Sequence, residues 1–95
     1  MRLTLNLYVM ARRPRDYTTA EQVLLATIAG RIRALRQTSG LSQEELADRA
    51  GLSRSHISKV ENPTSDLQLT TLFRLSRALN LTLAELVAES GNDSE

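Results

Sequence analysis

Residues 43–62, QEELADRAGLSRSHISKVEN, set two short amphipathic segments on either side of Gly51. Neither is long enough to persist as a helix alone, since isolated helices below roughly 12–15 residues are marginal in water. The apolar side chains show where each segment must find support. Leu46, Ala47 and Ala50 fall on one side of the first, and Ile57 and Val60 on one side of the second. Arg54, Ser55, His56 and Lys59 lie largely elsewhere. Two helices crossing steeply need a small side chain at the crossing and a glycine where the chain turns. Ala47 and Gly51, four residues apart, fit those places.

The rest of the chain must supply the core. Ninety-five residues suffice for one domain and are too few for two. Thr18 with Glu21 is a capping box opening a helix over 19–38, in which Leu24, Ile28, Ile32 and Leu35 repeat at helical spacing. Gly40 ends it in a left-handed conformation. Ser42 with Glu45 caps the helix over 43–50, and Ser53 caps one over about 54–61, which the turn-forming NPTSD stretch at 62–66 stops. LTTLFRLSRALN puts Leu69, Leu72, Phe73, Leu75, Ser76 and Leu79 in a helical pattern closed by Asn80. Thr82 with Glu85 opens a last helix carrying Leu83, Leu86 and Val87.

Before these helices, LTLNLYV alternates strictly, with Leu3, Leu5, Leu7 and Val9 on one side. Period two predicts a strand, and the chain offers it no second strand to pair with. Its simplest partner is its own copy in a second subunit, so residues Leu3 to Val9 are expected to support a homodimer; a leader outside the fold is the other reading. The expected organisation is a strand and basic arm over 1–17, a helical domain over 18–89 and a disordered tail over 90–95.

Composition narrows the chemistry. With no cysteine there are no disulfides, thiolate ligands or cysteine nucleophiles, which fits a reducing cytoplasm. His56 is the lone histidine, so no zinc set is expected, and adjacency with Ser55 on a helix keeps the two from facing each other as a catalytic pair. Neither a catalytic residue nor a cofactor is expected. No apolar run approaches the roughly 20 residues that span a bilayer. The net charge of +1 hides an asymmetry: residues 1–60 carry ten Arg and Lys against five acids, residues 61–95 two against six. A basic half facing an acidic half is a distribution suited to nucleic acid.

The order Gln43, Ala47, Gly51, Leu52, Ile57, Val60, Glu61, Asn62 strongly resembles the Cro/repressor-type (XRE) helix-turn-helix family. The flanking IRALRQTSGLSQEELA and LTTLFRLSRALNLTLAELV extend the resemblance over roughly residues 28–88. It implies an all-α, five-helix, lambda-repressor-like DNA-binding domain, here with the extra N-terminal β-strand. It also implies that helix 54–61 enters the major groove, with Arg54, Ser55, Ser58 and Lys59 facing bases. Arg54 stands where glutamine is common, and its planar fork suits guanine. Gln43 and Asn62 match DNA-backbone positions, against plain capping or turn-closing roles, and His56 is expected near the DNA backbone or on the rim of the motif. Arg36 and Glu61 occupy positions of an orienting ion pair, and Arg12, Arg13 and Arg15 could run along phosphates or enter the minor groove.

One such domain reads about four or five base pairs, so a two-fold dimer on a palindromic operator is expected, with half-sites roughly 34 Å apart. Small family members include phage-type repressors, restriction–modification controller proteins and antitoxins. The compactness favours a repressor or controller. The antitoxin alternative, with a toxin protein as second partner, draws on YTTAEQ and ENPTSDLQLTTLF, which resemble HipB-type antitoxins.

Overall fold

The computed structural model describes residues 16–88 and is helical throughout: α1 Thr19–Thr38, α2 Gln43–Ala50, α3 Arg54–Val60, α4 Leu69–Ala78 and α5 Leu83–Val87. No strand occurs among the described residues. The strand expected over Leu3 to Val9, the arm arginines Arg12, Arg13 and Arg15, and the 90–95 tail lie outside them.

Three helices begin on reciprocal capping boxes. Thr18, Ser42 and Thr82 each accept a hydrogen bond from the backbone N–H three residues on, while Glu21, Glu45 and Glu85 accept from the cap residue's own N–H at 2.8–2.9 Å. Each box satisfies two N–H groups that a helix end would otherwise leave bare. Chain reversal is left to residues that tolerate positive φ. Gly51, at +71°, closes α2 with its N–H directed to the Asp48 carbonyl, and Leu52 N then reaches the Ala47 carbonyl at 2.9 Å. Asn80, one residue beyond the C-cap of α4, does the same work at +62°.

α2 packs on α3 and α4, and α4 and α1 both pack on α5. Ile32, Leu46, Ile57, Leu75 and Leu86, one or more from every helix, are fully buried at the centre. The core is wholly aliphatic. Phe73, half exposed, faces away from it, and Tyr17 sits at its edge. α3 has seven residues and holds its place through Ile57 and Val60, which press into this core beside Ala47 and Ala50 of α2.

The sequence pattern misplaced some side chains. Leu24 is exposed, and Leu25 is buried in its stead with Ile28, Ala29 and Ile32. At 100° per residue Leu25 lies within about 20° of Ile32, whereas Leu24 is about 80° away. On α4 the buried side is Thr71, Leu75 and Leu79, spaced by four, with Ser76 beside them. Leu69 and Phe73, also four apart, share the opposite side and are 68% and 52% exposed.

Arg31 ties α1 to α5. From α1 its Nη2 donates to the Glu85 carbonyl at 2.7 Å and its Nε to that of Leu86 at 2.9 Å. A cation at the last carbonyls of α5 satisfies groups that a five-residue helix cannot.

Candidate nucleic-acid interface

α3 sorts its side chains by depth. Ile57 and Val60 are buried and His56 is half-buried, while Arg54, Ser55, Ser58 and Lys59 are exposed. Arg54, Ser58 and Lys59 make no side-chain hydrogen bond or ion pair with any described residue, and Ser55 Oγ touches only Ser53 Oγ, at 3.2 Å. An exposed helix face with unspent donors is what reading of base edges requires. Arg54 rises at the rim of a cleft of about 410 Å³ that is also lined by Glu44, Glu45 and Asp48 of α2.

The helix is held in place from beneath. Arg36, on α1, meets Glu61, the C-cap of α3, through two parallel contacts: Nε to Oε2 at 2.6 Å and Nη2 to Oε1 at 3.1 Å. Its remaining Nη1 donates to the Leu41 carbonyl at 2.8 Å, which fixes the α1–α2 connection to the same guanidinium. The two side chains are only 11% and 5% exposed. The hydrogen bond to Glu61 raises the Arg36 pKa further above its ordinary value, against the opposing effect of burial. One arginine therefore sets the angle between α1 and the end of α3.

Gln43 joins this group. Its Nε2 donates to Glu61 Oε1 at 3.2 Å, leaving one amide hydrogen unspent. Asn62 turns its Oδ1 inward on its own loop, accepting from Thr64 N at 2.9 Å and Thr64 Oγ1 at 2.8 Å. Its side-chain amide NH₂ makes no hydrogen bond to a described residue. His56 lies along a cleft of about 220 Å³ between α3 and the start of α4, with Lys59, Asp66, Gln68 and Thr71. Gln43 thus lies on α2, His56 on α3 itself and Asn62 just beyond the C-cap of α3, whereas the arm arginines fall outside the described residues. Among the described residues no group of three or more His, Asp or Glu side chains could hold a metal ion. None of their helices is long and apolar enough to cross a membrane.

Two features near α3 escaped the sequence reading. Tyr17 Oη donates to Asp66 Oδ2 at 2.9 Å, latching the segment before α1 to the loop after α3. This bond raises the tyrosine pKa above 10.0, because losing the proton would set phenolate against carboxylate. The second feature is the bare N-terminus of α4. Gln68 occupies the N-cap and makes no capping bond there. The missing Ser, Thr or Asp at 68 was readable as a signal in hindsight. The Tyr17–Asp66 contact, 49 residues apart in sequence, had none.

The HTH_3 helix-turn-helix family pattern matches residues 32–86, more than half of the chain. The control protein C.SmaI of Serratia marcescens is 37% identical over 68 residues, covering 72% of this chain and 81% of that protein. The crystal structure of the restriction-modification controller protein C.AhdI from Aeromonas hydrophila superposes with a TM-score of 0.62 at 39% identity, covering 65% of this chain and 94% of that one. The antitoxin HipB of Escherichia coli K12 is 34% identical over 56 residues, 59% of this chain and 64% of its own length. Across six curated relatives besides C.SmaI, the chain spans between 28% and 69% of their lengths.

Proposed function

The chain belongs to the helix-turn-helix family of DNA-binding transcription regulators, and on that premise we propose that it is a homodimeric regulator of the restriction–modification controller kind, reading a palindromic operator. The observation that carries this reading is the outer face of α3. Arg54, Ser55, Ser58 and Lys59 stand exposed there on a helix whose angle the Arg36–Glu61 pair fixes.

In the proposed complex α3 enters the major groove N-terminus first. Arg54 presents two parallel N–H donors to O6 and N7 of a guanine, a pairing worth about 1–3 kcal/mol of discrimination. Ser55 and Ser58 read neighbouring edges, and Lys59 adds a point charge toward guanine or the backbone. Gln43, through its unspent amide hydrogen and the start of α2, and Asn62, through its NH₂, hold the phosphates on the flanks. His56 is proposed to join them at the DNA backbone. The arm arginines Arg12, Arg13 and Arg15, outside the described residues, are proposed to meet phosphates or the minor groove.

A single module buries only roughly 600–1,000 Å² against DNA, so a unique genomic address needs two. Two candidates could engage a second copy: the exposed apolar pair Leu69 and Phe73 on α4 and, from the sequence pattern alone, the alternating segment Leu3 to Val9. Selection of bound duplexes from a random pool tests the reading, and an inverted repeat is the expected product. The similarity to HipB supports a second reading, an antitoxin that also binds a toxin protein. The controller reading has the better coverage, since the chain aligns with 81% of C.SmaI and 94% of C.AhdI but 64% of HipB. Copurification of a second protein from the native host would favour the antitoxin.

A further inference from the structure

The described residues begin at Asp16, and Tyr17 lines a cleft of about 390 Å³. Leu25 and Ala26 of α1 line it too, with Pro63 and Thr64 of the loop after α3. The polar side chains of the lining already have partners within the fold. Tyr17 Oη donates to Asp66, Gln22 Nε2 donates to the Tyr17 carbonyl at 3.1 Å, and Thr64 Oγ1 donates to Asn62 Oδ1 at 2.8 Å. What the cleft offers an occupant is therefore apolar surface. That surface continues past it: Val23, 60% exposed, stands about 60° round the helix from Ala26.

An aliphatic occupant is close at hand. Leu3, Leu5, Leu7 and Val9 alternate along residues 3–9, and six residues separate Val9 from Asp16. Six residues span at most about 20 Å, enough to return the chain onto a cleft that Tyr17 itself lines. A cavity of about 150 Å³ takes a six-carbon ring, so this one has room for two leucine side chains. Same-side residues on a strand lie about 6.6–6.8 Å apart, close enough for two neighbours to enter together. The charges also match. Asp66 and Glu21 both place negative charge near Tyr17, opposite in sign to Arg12, Arg13 and Arg15 of the connector.

We propose that this cleft seats the apolar side of residues 3–9 of the same chain, two neighbouring leucines among Leu3, Leu5 and Leu7 filling it. The seat takes side chains only, so the backbone of the segment keeps its hydrogen-bonding groups for a second copy. It also covers an apolar side that strand pairing alone would leave in water. Held by the cleft at one end and by the Tyr17–Asp66 bond at the other, the connector over 10–15 becomes a closed loop. Its arginines then stay beside the 62–66 loop that follows α3. The proposal does not depend on the DNA-binding reading.

Thermal melting and disulfide trapping on the full chain test it. Ala26→Glu puts a charge into the cleft from an exposed helix position, where the exchange by itself costs little. It should lower Tm by about 4–8 °C in the full chain and hardly at all once residues 1–9 are deleted. An effect equal in the two backgrounds, large or nil, would overturn the proposal. Because the sequence has no cysteine, an introduced pair is the sole source of a disulfide. Ala26→Cys should close within one chain with Leu5→Cys or Leu7→Cys, and not with Asn6→Cys on the other side of the segment. A disulfide joining two chains would assign the cleft to the partner's segment, and equal trapping from Asn6→Cys would mean contact without a seated side. Failure of both leucine positions to trap would leave the cleft to another occupant. Each of these three results would overturn the proposal.

Discussion

Arg36 and Glu61 lie 25 residues apart in sequence and join through paired contacts of 2.6 and 3.1 Å, linking the long first helix to the C-cap of α3. The pair is nearly closed to solvent, and the guanidinium carries a third bond to the Leu41 carbonyl. Its value is positional more than energetic, since bringing two charges out of water offsets much of their attraction.

Removing one partner therefore costs more than removing both. Glu61→Ala or Arg36→Ala is expected to destabilise the fold by about 3–5 kcal/mol, because each leaves a buried charge without its counterpart. The double replacement Arg36→Met, Glu61→Leu should recover much of that stability and still bind DNA poorly, as the angle of α3 loosens. Urea unfolding with anisotropy on the same samples checks both halves; a double variant that binds like wild type would separate the pair from orientation.

Arg54→Ala should relax base preference at one position per half-site, at a cost of about 1–3 kcal/mol. Gln43→Ala should weaken binding almost equally on every sequence. Comparing each variant on operator and on scrambled duplex distinguishes the roles. Equal loss on both duplexes from Arg54→Ala would remove it from the reading face.

Acid and alkali should act on different ends of the described fold. Bonds from the Ser42 backbone N–H hold Glu45 below its ordinary 4.5. A depressed carboxylate adds stability above the unfolded value, and that stability is lost as pH falls through the lower folded one. Glu45→Gln should flatten the acid limb of Tm against pH below about 4.5. For Tyr17 the sign reverses, since its pKa is raised above 10.0 by the bond to Asp66. That contribution is present below 10 and disappears as pH climbs through the folded value. Tyr17→Phe should flatten the alkaline limb only. A limb unchanged in either variant would contradict the bond assigned to it.

Much of this fold was legible because its signals are local. Each capping box needs only two residues three apart, and Gly40 and Gly51 announce their turns by the φ they permit. Faces were harder. The run Val23–Leu24–Leu25 offers three apolar residues at successive azimuths, and only tertiary packing, which sets Leu25 beside Tyr17, Pro63 and Thr64, selects among them. α4 carries apolar residues all round, so periodicity could not say that Leu69 and Phe73 point outward. At the interface, the exposed donors of α3 were readable from their polarity. The cleft at Thr71 was not, because it exists only where the flank of α3 meets the start of α4.

Dimerisation should yield to changes on either proposed surface. Phe73→Glu puts a charge on the exposed apolar side of α4 without entering the core, and deletion of residues 1–9 removes the alternating segment. Each should shift the sedimentation profile toward monomer and weaken operator binding by at least tenfold, the half-site contacts being no longer linked. An unchanged profile would exclude the surface concerned.

The most direct test of the central claim, that the outer face of α3 reads duplex DNA as one half of a two-fold pair, is selection of bound sequences from a random duplex pool at low salt. Enrichment of an inverted repeat with half-sites about one helical turn apart is expected, with loss of one guanine from each half when Arg54→Ala is selected in parallel. A pool that returns unenriched, or returns the same motif with Arg54→Ala, would contradict it.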